Sequence, residues 1–97
     1  MIVGISVFEL HLPGAQSLKQ KRKVVKSLVE RIHQRLKVSI IESDHHDLHQ
    51  RAQIALALVA RNESDAERLF DRVRDLVDLS GDAMLTDWRP ELIDVAD

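Results

Sequence analysis

Residues 38 to 61 read VSIIESDHHDLHQRAQIALALVAR, and the fold turns on how they are parsed. Val38 to Asp44 and Gln50 to Arg61 are strand-like runs rich in Val, Ile, Leu and Ala. The polar residues between them have the composition of a turn. On both sides of this pair the hydrophobic period changes from two to 3.6, so a β-hairpin is enclosed between two helices.

Toward the N-terminus, Leu18, Val25, Leu28, Val29, Ile32 and Leu36 recur at steps of three, four or seven. Ser17 followed three residues later by Gln20 forms a capping-box pattern, which predicts a helix from Ser17 to Leu36. Residues 2 to 12 before it read as a long strand, ended by Pro13-Gly14. Toward the C-terminus, Ser64 with Glu67 predicts a second helix start, and Ala66, Leu69, Phe70, Val73, Leu76 and Val77 supply its apolar stripe to Leu79. Ser80-Gly81-Asp82 stops it, and a last strand is expected from Ala83 to Arg89.

The element order is therefore βαββαβ, an α+β arrangement. Two right-handed crossovers give it one compact solution: a ferredoxin-like sandwich, with an antiparallel four-stranded sheet and both helices on one face. Residues 1–97 form a single domain in this reading, because a chain of this length supports one core. In the third strand, Ile54, Leu56 and Leu58 should meet the helices. The alternate positions Ala55, Ala57 and Val59 then make an apolar, small-residue face directed away from them. That face predicts a homo-oligomer, most simply a dimer; the bland alternative is a few alanines on a solvated sheet.

Composition narrows the chemistry. With 44% hydrophobic and 31% charged residues the chain is ordinary globular material. It contains no cysteine, which removes disulfides and thiolate chemistry and suits a reducing compartment. No apolar run approaches membrane-spanning length and no signal peptide is recognisable, so a cytoplasmic protein without membrane association is expected. The net charge of −2 conceals asymmetry. Residues 17–37 carry eight Lys/Arg and one acid, whereas the rest carries six basic and fifteen acidic residues. Such a basic segment suits nucleic acid, or merely packs beside an acidic element.

Between Glu42 and His49, three histidines and three carboxylates crowd into eight positions. These are metal-ligand types, but adjacent His45 and His46 diverge in a tight turn and the stretch lacks an H-E-x-x-H helix spacing. No metal or other cofactor is expected. The turn's alternative role for Asp44 or Asp47 is to accept backbone hydrogen bonds. No catalytic residue is assigned either: no serine lies in a G-x-S-x-G elbow, and no glycine-rich phosphate loop exists. Base stacking on the sheet is disfavoured, since Phe8, Phe70 and Trp88 are the three aromatics of the chain. Phosphate contact by the first helix remains, with Lys19, Lys21, Arg22, Lys23 and Lys26 as the candidate nucleic-acid or anion-binding residues.

Two stretches together carry a family resemblance. HLPGAQSLKQKRKVVKSL at residues 11–28 has a Gln-Ser-Leu-Lys-x-Lys-Arg core. Residues 38–60 contain Glu-x-Asp-x-x-Asp, then Gln-Arg and an alanine-rich strand. The chain so resembles the YlxP-like family of small bacterial proteins, domain of unknown function 503, over about residues 1–90. The resemblance implies a ferredoxin-like fold and a bacterial cytoplasmic protein, and it marks Glu42, Asp44, Asp47, Gln50 and Arg51 as a family-motif polar loop. His45, His46 and His49 fall where the family tolerates other residues. Family genes often lie near those of ribosome-binding factor A and translation initiation factor two, which implies association with RNA, ribosomal RNA above all, or with a ribosome-linked protein. The expected function is a non-catalytic binding module of that kind; the alternative is a self-associating regulatory domain that binds a small anionic ligand.

Overall fold

The computed structural model describes residues 1–96. Its elements follow the expected order: β1 (Ile2–His11), α1 (Leu18–Leu36), β2 (Ser39–Asp44), β3 (Arg51–Ala60), α2 (Glu63–Ser80) and β4 (Met84–Asp94). The sheet order is β2-β3-β1-β4, with every neighbouring pair antiparallel. Ile2 pairs with Ala60 on one side and with Asp94 on the other, so β1 occupies the interior of the sheet. No helix among the described residues is long and apolar enough to cross a membrane.

The core lies between the sheet and the helix layer. Phe8, Leu10, Ile54, Leu56 and Leu58 face inward from the central strands. They meet Val25, Leu28 and Ile32 of α1 and Phe70, Val73 and Val77 of α2. Trp88 on β4 joins this layer, its ring 5.3 Å from Phe8 and edge-on to Phe70 at 5.7 Å. Gly4 makes close approach possible: a Cβ there would stand 2.9 Å from the Phe70 ring and from Leu58 Cδ1.

Helix ends show where local signals were decisive and where they misled. Ser17 Oγ accepts the Gln20 N–H at 3.1 Å, and Gln20 Oε1 accepts the Gln16 N–H at 2.7 Å, so the first box is formed much as expected. The second helix begins earlier than the Ser64–Glu67 box predicts. Asn62 is its cap, accepting the Asp65 N–H at 2.9 Å. Asparagine caps as well as serine, and Glu63 and Asp65 then place negative charge in the first turn. At the other end Gly81 adopts φ 74°, the left-handed stop.

β4 also departs from expectation, running past Pro90 to Asp94. As an edge strand it tolerates a residue without an N–H. Two register shifts, at Glu9/Leu10 against β4 and at Glu42/Asp44 in the β2–β3 ladder, distort the sheet near the β2–β3 hairpin.

Candidate phosphate-binding surface and polar hairpin

The basic segment forms one exposed flank of α1. Lys19, Arg22, Lys23 and Lys26 are all exposed, and from Lys19 to Lys26 they extend over ~10 Å of helix. None of the four has an ion-pair partner among the described residues. The acids of α2 do not neutralise them: Asp65 pairs with Arg68 of its own helix, and Asp71, Asp75 and Asp78 pair with no α1 residue. A basic helix laid beside an acidic one is thus present, but without direct pairing.

Lys21 must be removed from the candidate phosphate contacts. Its side chain is 0% exposed; the ammonium donates to the His45 carbonyl at 3.0 Å and pairs with the Glu42 carboxylate. The sequence did contain the signal. Lys21 precedes Val25 by four residues and Leu28 by seven, so it lies on the apolar stripe, the face that α1 buries. A charge so placed is tolerated only when paired, and this pair clamps the first turn of α1 to the hairpin.

Around that clamp the family-motif loop has mainly architectural contacts. Asp44 Oδ1 accepts the His45 N–H at 2.7 Å, and His45 adopts φ 65°, with its carbonyl also accepting the Leu48 N–H at 3.0 Å. The Gln50 side-chain amide donates to the carbonyls of Pro13 at 3.4 Å and Ala15 at 3.3 Å, while the Gln50 backbone carbonyl accepts the Leu12 N–H at 2.9 Å. The hairpin is thereby fastened to the β1–α1 connection. Arg51 is exposed at the edge of the same network, 3.9 Å from Glu9, and Asp47 is exposed.

Glu9 is the member that sequence reading missed. Its carboxylate lies 3.1 Å from His45 Nε2 and accepts the Gln53 amide at 3.0 Å. Glu9 and Gln53 are register partners in the β1–β3 ladder, a relation no local pattern reveals. The histidines separate: His45 is against Glu9, His46 Nε2 sits 3.2 Å from the Glu42 carbonyl, and His49 is exposed. Among the described residues no three His, Asp or Glu side chains are grouped to hold a metal ion.

Phe8, Phe70 and Trp88 all belong to the helix-facing layer, which leaves no aromatic platform on the open sheet face. Beside the basic flank, a surface cavity of about 510 Å³ is lined by Pro13, Ala15, Gln20, Lys23, Ser27 and Asp82, among others. It shares Lys23 with that flank.

Comparison with known proteins adds identity without activity. The model of the family described as "Protein of unknown function (DUF503)" matches residues 3–90. The "Uncharacterized protein YlxP" of Bacillus subtilis (strain 168) is 31% identical over 77 residues, covering 79% of this chain and 84% of that protein. Among solved structures, the de novo designed protein LFR1 1 with ferredoxin fold is similar at TM-score 0.56 and 11% identity, over 100% of this chain and 88% of the other. Protein Atu4242 from Agrobacterium tumefaciens is similar at TM-score 0.53 and 14% identity, over 99% of this chain and 94% of that one. A putative chlorite dismutase, TA0507, aligns at TM-score 0.52 and 13% identity, over 97% of this chain but 45% of its own. Likenesses at such identities show the fold alone.

Proposed function

The chain belongs to the DUF503 family of proteins of unknown function, and on that footing we propose that it is a non-catalytic binding module for structured RNA, ribosomal RNA in particular. The supporting observation is the flank of Lys19, Arg22, Lys23 and Lys26, four exposed cations of α1 without ion-pair partners among the described residues. Cations on a rigid helix suit phosphate oxygens and read no base edges, so binding should follow RNA shape and charge rather than sequence. The helix-side location of all three aromatics accords with a mode that does not stack bases.

Titration of the full chain against a fluorescent ribosomal RNA fragment at several salt concentrations tests this reading. Four phosphate contacts give a slope of log affinity on log salt of about −3. Replacing Lys19, Arg22, Lys23 and Lys26 by alanine should abolish most binding and flatten that slope while Lys21, the structural lysine, stays in place. Binding that is unchanged in this variant would refute the assignment.

One observation favours the second reading, a self-associating regulatory domain for a small anionic ligand. The cavity beside α1 has a volume usual for small-molecule sites and contains the Lys23 cation. Asp82, also in its lining, selects against a compact anion unless that ligand also carries a donor. Thermal stabilisation by such a ligand, lost in Lys23→Ala and seen without RNA affinity, would support this reading over the first.

A further inference from the structure

The middle of the open sheet face, over β1 and β3, is apolar and uneven in a regular way, while charged residues such as Glu9, Arg89 and Glu91 surround it. In the β1–β3 ladder Ile5 stands beside Ala57 and Val7 beside Ala55, all four directed away from the helices. Ile41 of β2 stands on the other side of Ala55 and is 61% exposed. The alanines are thus the floor of a trough of about 300 Å³, with Ile5 and Val7 along one wall and Ile41 at the other. On the outer strand β4, Arg89 and Asp87 pair with each other at 3.2 Å, so the margin carries both signs of charge.

We infer that a second copy of this chain covers this face, the two sheets stacked about a two-fold axis that runs parallel to the strands between β1 and β3. Size complementarity selects this occupant and this axis. The rotation carries β1 over the partner's β3, lowering the Ile5–Val7 ridge of each protomer into the alanine trough of the other. An in-plane axis across the strands would set ridge on ridge and trough on trough. An isologous interface needs one surface that contains both the projection and its receptacle, and this face has them side by side. The same rotation brings β4 over the partner's β2. Glu91, level with Ile5, then meets the hydroxyl of Ser39, which is level with Ala57.

The dimensions agree. Four strands ~4.8 Å apart, three of them of ten or eleven residues and β2 of six, make a footprint of roughly 600 Å². Projecting side chains raise the accessible area of such a footprint toward the ~800 Å² per partner of a standard interface. Stacked sheets ~10 Å apart leave room for one interdigitated layer of this kind.

The oligomeric state of the full chain, measured by light scattering and sedimentation over a wide concentration range, provides the test. The expected mass is twice that of the 11.1 kDa chain. Ile5→Asp and Ala57→Lys should each yield a folded monomer by circular dichroism, since both positions face away from the core. An equimolar mixture of the two should recover the doubled mass, because the introduced carboxylate and ammonium meet across the proposed interface. Should either variant fail to fold, Ala57→Gln replaces it and must weaken self-association by at least about tenfold. A wild-type monomer at every concentration would overturn the inference. So would a dimer that persists in the variants, or folded variants that do not re-associate on mixing.

Discussion

Lys21 shows how a residue type can mislead where its position does not. Counted by charge it joins the exposed basic flank; counted by helical phase it falls on the buried stripe, where Glu42 and the His45 carbonyl take up its ammonium. Lys21→Ala should therefore destabilise the fold by about 3–5 kcal/mol in urea denaturation, because it leaves the mostly buried Glu42 carboxylate without its cation. Lys21→Met combined with Glu42→Gln should recover much of that loss, and a double variant no better than Lys21→Ala would disprove the pairing argument. Gly4 is a second such position. A methyl group there meets the Phe70 ring and Leu58, so Gly4→Ala should cost about 1–3 kcal/mol by overpacking, read as a lowered urea midpoint. Ser6 has the opposite expectation. Its hydroxyl is buried without a hydrogen-bond partner among the described residues, and Ser6→Ala should leave the midpoint unchanged or raise it. Glu9 was illegible for a different reason: its partners His45 and Gln53 are brought to it by strand register across the sheet, over separations that no periodicity spans.

At the scale of elements, the sequence was legible wherever the period changed abruptly. The six elements and their order follow from alternation giving way to helical spacing, and both helix stops are close to their expected places. The local pattern is ambiguous where two neighbouring residues can serve the same end. Asn62 and Ser64 are both good caps, and the pattern S-x-x-E drew attention to the second, although the chain enters the helix at the first. Asn62→Ala should destabilise the protein by about 1 kcal/mol, whereas Ser64→Ala should alter it by a few tenths at most. Thermal denaturation of the two variants side by side checks this, and equal losses would mean that the cap is shared. β4 runs through Pro90 to Asp94, where the sequence predicts a strand ending at Arg89. An edge strand paired with a single neighbour gives the proline a permissible place.

For the whole molecule, the separation of surfaces matters most. The helices cover one side of the sheet and present the cations of α1 outward, while the opposite side presents the trough over Ala55 and Ala57. If two copies join through their sheets, the basic flanks lie on the outer sides of the assembly. A single long RNA would then engage both only by passing around the dimer, and two RNA segments would be held apart. Titrating the dimer with short RNA duplexes should accordingly show two equal, independent sites per pair of chains, without cooperativity. The strand order also determines when such a molecule can exist. Of the four strands, β1 is synthesised first but completed last: Ile2 finds Ala60 only after β3 emerges, and Asp94 only after β4 emerges. Until then the apolar side chains of the central strand have a neighbour on one edge at most, and closing so long a loop is slow relative to forming either helix. Nascent chains stalled before Met84 should therefore be cleaved rapidly by protease, and those released beyond Asp94 should resist it. The sheet of this molecule is thus completed only once its last strand, β4, has been synthesised.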